Sequence, residues 1–436
     1  MQKIQSSYKD PSSSVFRDDN SQRYFRALKY PPVVYNELGI FPEVLSKGEN
    51  ELFEIKRIPF VNYFYEWTFE QFKDSAIYFL ELLKFLDAKG YTFSDATPLN
   101  VTYNGKGEFI FIDHGSLIKK EGEQWTAFYQ FLKEYAYPLL YLSENPSLPP
   151  LGLLPIMGSK DWMFNYRPKF LHRFSFKYVL LKSALTLSSK RSLSDFSEKK
   201  KVGLSNQFQY NIEFFLNYIH GLHQKLPKAT RWGNYYSETV LGNEYLANKQ
   251  KALLEIFEKI SSEVTIGIDL GASNGLMAET ILSKYPDKKF VCIEADPNAS
   301  KNLYSLSKKN NVIPIYNSVY SLSPEVGFSG AIQSLSSRLS ESADVVMALG
   351  LVHHLMHEEN LSLHKIFTFL SSLIKKNGYM IIEYISEEDT RHRLIKNVNY
   401  PYSLGYEDWE RIVIENAAIV SQIQVSEFRT LYLIKK

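Results

Sequence analysis

The chain has 436 residues, enough for two or three domains that each bury a core. Its 50 basic and 48 acidic side chains leave a net charge of +2, which excludes broad electrostatic capture of nucleic acid and confines any such contact to a local patch. A single cysteine, Cys292, excludes an internal disulfide framework and fits a reducing compartment.

In chain order, the polar, Ser-rich stretch 1–14 reads as a disordered tail without the apolar core of a secretory leader. The longest apolar runs, such as YAYPLLYL, are too short to span a bilayer, so a cytoplasmic protein is expected. VFRDDNSQRYFRAL reads as a hairpin, PPVVYNELGIFPEVLSKG as a short helical segment, and LFEIKRIPFVNYFYEW as a strand pair broken near Pro59. TFEQFKDSAIYFLELLKFLDAKG is an amphipathic helix stopped at Gly90, followed by a hairpin, VTYNG and EFIFID, turning at Asn104-Gly105. Residues 121–250 read as mainly helical, with the charged run SSKRSLSDFSEKKK as a solvated loop. The many aromatic residues, 30 Tyr and 29 Phe, are expected in cores.

From residue 264 strands and helices alternate: VTIGIDL, KFVCIEA, VIPIYN, ADVVMAL and YMIIEYI, with helices between them. That pattern implies a mostly parallel sheet. The end, IVSQIQV then RTLYLIKK, has no helix between and reads as an antiparallel pair.

In IGIDLGASNG a strand ends at Asp269, and Gly271, Ala272, Ser273 and Gly275 form a tight turn into a helix where the backbone can approach a ligand closely. Twenty-five residues on, the next strand ends at Glu294, followed by Ala295; an acidic side chain there accepts ribose hydroxyls. A dinucleotide needs the helix N-terminus for its pyrophosphate. S-adenosylmethionine carries no phosphate, and its cationic groups suit Asp269; the terminal strand pair also suits a methyltransferase sheet.

IDLGASNG, CIEADP, ADVVMALGLVHHL and YMIIEYI, in this order, resemble class I S-adenosylmethionine-dependent methyltransferases over about residues 232–436. The resemblance implies that Asp269, Gly271 and Gly275 surround the methionine moiety and Glu294 holds the ribose. It places Asn317 or Ser318 beside the adenine and Ala348 and Leu349 at the mouth. His353, His354 and Glu383 are candidate bases for an acceptor hydroxyl; each His has a structural reading too. Trp232, Tyr235, Tyr236 and Tyr245 are expected as a lid helix, with core packing as the rival.

Upstream, Asn100 follows Asp95 by five positions, and DHG begins at Asp113 after the hairpin. This order resembles the catalytic segment of protein kinases. It implies Asp95 as the residue that orients an acceptor hydroxyl, and Asn100 and Asp113 as ligands of Mg2+ on ATP. No Gly-rich loop precedes residue 50, Phe93 stands where kinases carry His, and Arg26 or Lys29, with Glu37, are the candidates for the lysine–glutamate pair.

IPFVNYFYEWTFEQFKDSA, SDATPLNVTYNGKGEFIFIDHGSL, ADVVMALGLVHHL and the ending RTLYLIKK resemble, over nearly all of the chain from residue 15 onward, a bacterial family of nodulation-protein-like methyltransferases with a kinase-like half in front. The expected organisation is α/β: a tail, 1–14, a reduced α+β kinase-like domain, 15–230, and a Rossmann-like methyltransferase domain, 231–436. The acceptor expected by analogy is a glycan, glycolipid or small molecule; an N-terminal half serving only as a pseudokinase binding module and an RNA methyltransferase are the alternatives.

Overall fold

The computed structural model describes residues 2–3, 15–18, 23–48, 52–122, 125, 127–157, 162, 166, 207–233, 242–389, 393, 395, 409–413 and 418–436. Most of the expected tail, the charged run after residue 187, and Tyr235 and Tyr236 lie outside them. The chain divides into two compact units, one of Met1–Tyr103, Phe109–Pro227 and Gly327–Ile332, the other of Asn104–Glu108, Lys228–Val326 and Gln333–Lys436.

In the first unit, strands β1 (Gln2–Lys3), β2 (Val15–Asp18), β3 (Arg23–Ala27), β4 (Val44–Lys47) and β5 (Leu52–Ile55) form an antiparallel sheet in the order β1-β2-β3-β5-β4. Helix α1 (Pro32–Leu38) lies between β3 and β4 in sequence and ends at Gly39 with φ 65°. Where a second strand was expected near Pro59, the chain curls into a 3-10 turn, Phe64–Glu66. Side chains cause this: Asn62 accepts from Trp67 Nε1 at 2.6 Å and donates to the Tyr103 carbonyl at 2.7 Å, while Glu66 accepts from the Tyr63 N–H.

Helix α2 (Phe69–Ala88) starts at Thr68, whose hydroxyl accepts from Gln71 N, and buries Phe69, Phe72, Ala76, Phe79, Leu83 and Leu86. These recur every three or four positions and make one apolar stripe. The stripe meets an aromatic core: Phe79 stacks near Phe93, Phe111, Phe131 and Tyr135, and the Phe93 and Phe111 rings are 4.0 Å apart. β6 (Tyr91–Phe93) and β9 (Leu117–Lys119) pair, as do β7 (Val101–Gly105) and β8 (Glu108–Phe111). Helical turns α3 (Phe128–Phe131) and α4 (Tyr137–Glu144) are joined by a π-turn, Leu132–Ala136, that ends just before Pro138, a residue with no N–H for the preceding turn. α5 (Leu153–Met157) and α6 (Gln207–His220) complete what is described.

In the second unit, α7 (Gly242–Glu258) precedes β10 (Ile266–Leu270), α8 (Leu276–Lys284), β11 (Lys289–Glu294), α9 (Pro297–Ser307) and β12 (Val312–Tyr316). Then come α10 (Leu335–Leu339), β13 (Ala343–Ala348), α11 (Val352–His357), α12 (Leu363–Leu373), β14 (Ile374–Ile385), β15 (Ala418–Ser426) and β16 (Arg429–Lys435). Seven strands form one sheet, β12-β11-β10-β13-β14-β16-β15. β10 to β14 run parallel, and β16 inserts antiparallel between β14 and β15. Strand order reverses between β11 and β13 around β10, and in such sheets ligands bind at the C-terminal strand ends beside the reversal.

Candidate active sites

β10, β11 and β12 run as apolar, buried strands and release the chain at one edge of the sheet, so Asp269, Glu294 and Asn317 stand at or just past successive strand ends. Gly271 takes φ 68° and Ser273 φ 51°, and the N–H groups of Gly271 and Ala272 both reach the Ile293 carbonyl, at 2.9 and 3.1 Å. Gly275 has φ 87°, and a Cβ there would stand 2.6 Å from Leu303 Cδ1, so only glycine lets α8 start this close to α9.

A cleft of about 190 Å3 opens above these strand ends. Of the expected donor residues, Gly271, Ser273, Glu294, Ala295, Ser318 and Leu349 line it. Asp269, Ala272, Asn317 and Ala348 are buried and do not line it. The Glu294 carboxylate accepts three backbone N–H groups: Ser273 on Oε2 at 2.7 Å, and Ala295 and Asp296 on Oε1 at 2.8 and 2.7 Å. A carboxylate offers about four lone-pair positions. Glu294 therefore clasps the glycine loop and keeps little capacity for a ligand hydroxyl. Its burial raises its pKa, and these backbone bonds only partly offset that.

Two buried polar groups stay without partners here: Asp269 Oδ2, and both Oδ1 and Nδ2 of Asn317. An orphaned buried polar atom costs about 1–3 kcal/mol, so two such side chains, at the ends of β10 and β12 on either side of β11, suit a ligand that supplies the missing bonds. Burial pushes Asp269 up to about 7, against a downward pull from Lys249 and with an upward push from Glu294. The residues that do line the cleft, Gly271, Ser273, Glu294 and Ser318, present backbone and hydroxyl groups that suit a nucleoside.

The opposite wall of the cleft carries Leu351, His354, Leu355, Glu358, Glu359 and Trp232. Asp296, two residues after Glu294, holds this wall. Its Oδ1 caps α9 by accepting from Asn298 N and Ala299 N, and also accepts from Thr230 Oγ1; its Oδ2 accepts from Trp232 N at 3.1 Å. Trp232 thus meets His354 edge-on with ring centroids 4.9 Å apart. Glu358 Oε1 lies 3.3 Å from His354 Nδ1 and also accepts from Arg231. Burial raises the Glu358 pKa, but Arg231 and His354 more than reverse it, so the carboxylate stays ionised. His353 is buried beside His354, with ring centroids 4.2 Å apart, and does not line the cleft.

Glu383, the third candidate base, also lies outside the lining, with its side chain fully buried. Lys249 Nζ donates to its Oε2 at 2.7 Å, Tyr245 donates to its Oε1, and Arg429 stands 3.9 Å away while gripping Asp389 at 2.8 and 3.0 Å. Burial raises its pKa, and Lys249 and Arg429 more than reverse this, leaving it below the usual carboxylate range. Such a group is a poor proton acceptor. Tyr245, expected in a lid, is 8% exposed in the core: the packing reading holds for it. Lys249 and Asp296 were not singled out from sequence; Asp296 had a signal as an Asp before a Pro that opens a helix.

In the first unit the structure brings Asp95, Asn100 and Asp113 together. Asn100 Nδ2 lies 3.0 and 3.1 Å from the Asp95 oxygens and 3.5 Å from Asp113 Oδ2. Burial and then Asp113 push Asp95 up to about 7. Asp113 Oδ1 is engaged by Arg26 Nη2 at 2.9 Å and by Gly115 N at 3.0 Å. Arg26 Nη1 also donates to the Ile112 carbonyl and to His114 Nδ1, and His114 Nε2 then donates to the Pro42 carbonyl. Burial and Arg26 drive the His114 pKa down to about 3, which keeps this imidazole neutral. Of the candidate cations, Arg26 is the one that reaches the site, and it pairs with Asp113. Among the described residues no group of three or more His, Cys, Asp or Glu side chains forms a metal cage.

No family model matches the chain. The nodulation protein NoeA of Rhizobium meliloti (strain 1021) is 26% identical over 348 residues, which cover 76% of this chain and 69% of NoeA. A SAM-dependent methyltransferase from Aquifex aeolicus aligns over 44% of this chain and 97% of its own, at 14% identity and a TM-score of 0.28. An O-methyltransferase family protein from Burkholderia thailandensis aligns over 59% and 84%, at 13% identity and a TM-score of 0.33. These scores are low, and the strand order of the C-terminal unit, not the likenesses, carries its fold: an α/β sheet of parallel strands with an antiparallel pair at one side.

Proposed function

We propose that the protein is an S-adenosylmethionine-dependent methyltransferase acting on a hydroxyl of a glycan, glycolipid or small-molecule acceptor. The observation that carries this reading is the pair of unpartnered buried groups, Asp269 and Asn317, flanking the clasped loop in a sheet of this order. When bound, S-adenosylmethionine supplies a methyl group already activated by a sulfonium. The protein's share is alignment and proton removal. Glu294 and Ser273 shape the ribose site from the cleft wall, while Asp269 and Asn317 stand buried at the ends of β10 and β12. On the far wall His354, whose Nδ1 lies 3.3 Å from Glu358 Oε1, is the residue proposed to take the proton of the acceptor. Leu349, Leu351 and Leu355 keep water from that contact.

Glu358 and Glu359 on the acceptor wall, together with the near balance of charge, favour an uncharged acceptor over RNA. The N-terminal unit is proposed as a kinase-like module that recognises the acceptor or a partner, because Arg26 occupies the carboxylate that would hold Mg2+ and ATP. A cytoplasmic location belongs to the same proposal; among the described residues no helix is long and apolar enough to cross a membrane. Equilibrium binding of S-adenosylmethionine to the full chain tests the central claim. Binding is expected, weakened at least about tenfold by Glu294→Ala, since that change releases three backbone donors, two of them buried, at about 1–3 kcal/mol for each buried one. No affinity in the wild type, or an unchanged affinity in the variant, refutes it.

A further inference from the structure

His354 lines the cleft from α11, a helix of only 6 residues, with its side chain 19% exposed. So short a helix does not by itself fix the orientation of one ring. The neighbours that do come from residues 230–232. The Trp232 ring stands edge-on to His354, with 4.9 Å between centroids. The Arg231 guanidinium lies over the Trp232 ring, 4.6 Å from its centroid, and donates to Glu358 Oε1, the oxygen that lies 3.3 Å from His354 Nδ1. Residues 230–232 belong to no helix or strand. The start of α9 holds them instead: Asp296 accepts from Thr230 Oγ1 at 2.7 Å and from Trp232 N at 3.1 Å, and Asn298 Nδ2 donates to Thr230 Oγ1 at 3.2 Å. The seat is tight, since a Cβ at Gly233 would stand 2.6 Å from Thr230 Oγ1 and 2.8 Å from Asn298 Cβ.

Stability does not account for the Arg231–Glu358 pair: its side chains are 54% and 31% exposed, and pairs so exposed add little to a fold. We infer that Arg231 and Asp296 are positioning residues for methyl transfer: Asp296 seats residues 230–232 on α9, and from that seat Arg231 and Trp232 hold Glu358 and His354 in one arrangement on the cleft wall. The inference rests on the methyltransferase reading and goes beyond it, because it puts the alignment of the proposed base under a segment 127 positions upstream of Glu358. Proton transfer needs a set hydrogen-bond distance, and a misplacement of about 1 Å costs on the order of a hundredfold in rate. Arg231 meets this need because its planar guanidinium stacks on the indole and bonds the carboxylate at once. Asp296 meets it by dividing its oxygens: Oδ1 caps α9 and takes the Thr230 hydroxyl, while Oδ2 takes the Trp232 N–H.

Carbethoxylation of the full chain by diethyl pyrocarbonate at about pH 8, above the usual histidine range, reads the freedom of the His354 ring by peptide mass spectrometry, with the exposed His364 as control. Arg231→Met should raise the His354 rate about threefold, the population shift that loss of an exposed ion pair brings, and Arg231→Lys, which restores a charged donor, should return it toward wild type. Asp296→Asn should raise it equally: asparagine caps a helix as well as aspartate does, so the start of α9 stays, but an amide nitrogen in place of Oδ2 cannot accept the Trp232 N–H. Neither Arg231 nor Asp296 lines the cleft, so S-adenosylmethionine affinity is expected to be unchanged in all three variants. An unchanged His354 rate in Arg231→Met, or no rescue by Arg231→Lys, overturns the inference. So does a rise matched at His364, which means a general opening of the unit. A rise in Arg231→Met without one in Asp296→Asn overturns the part given to Asp296. Failure of S-adenosylmethionine to bind the wild type refutes instead the methyltransferase reading beneath the inference. If Asp296→Asn does not fold, the two variants at the exposed Arg231 still decide.

Discussion

Replacing Glu383 by Gln separates a structural anchor from a catalytic base. Its side chain and that of Lys249 are 0% and 2% exposed, and the pair is closed at 2.7 Å. The substitution leaves the Lys249 ammonium buried beside an amide. Removing one partner of a buried pair costs about 3–5 kcal/mol, because the remaining charge keeps its desolvation penalty and loses its attraction. Removing both, as in Lys249→Met with Glu383→Gln, lifts that penalty. Arg429 is still held by Asp389 at 2.8 and 3.0 Å, so the double variant should lie within about 1–2 kcal/mol of wild type. Amide exchange of β14 and β16 reads the opening free energy of this unit alone. The sign with pH follows from the depressed pKa: the stabilisation is present above the unfolded value of about 4.5 and is lost as pH falls through the lower folded value. A Glu383→Gln variant with wild-type exchange rates and no methyl transfer would refute this reasoning and restore Glu383 as a base.

Gly275→Ala is expected to lower stability by at least about 2 kcal/mol and to weaken donor binding, since it combines a positive φ with a Cβ 2.6 Å from Leu303; thermal unfolding with and without S-adenosylmethionine checks both. Arg26→Met should free Asp113 and produce a thermal shift with Mg2+ and ATP that exceeds that of the wild type. An equal or smaller shift in the variant means that Arg26 does not guard the site.

Much of the C-terminal unit was legible because its signals are local. Apolar runs of strand length spaced by helices, a glycine turn after Asp269 and an acid ending the next strand each occupy only a few consecutive residues. The Asp95, Asn100 and Asp113 spacing was equally visible, and the three side chains do converge. Arg26 was visible only as a candidate cation; its partner lies 87 positions away, a separation that carries no periodic trace. Lys249 misled in another way: a lysine on a helix is normally solvated, and only Glu383, supplied by a distant strand, makes its burial tolerable. The segment around Asn62 read as a strand from its aromatic residues, but side-chain bonds to Trp67 and Tyr103 turned it aside.

By itself, the sequence determined most strands and helices of the C-terminal unit, the order in which they follow, and which residue types stand at the strand ends, since these depend on short-range sterics and hydrophobic period. Tertiary structure alone decided the protonation and pairing of those residues. Asp269 and Glu383 are both carboxyl groups near strand ends, yet one has an oxygen without a hydrogen-bond partner while the other is gripped by Lys249 and Arg429. Electrostatic energy in a desolvated interior depends on distances of a few ångströms between groups far apart in the chain, and those distances exist only once the sheet has closed.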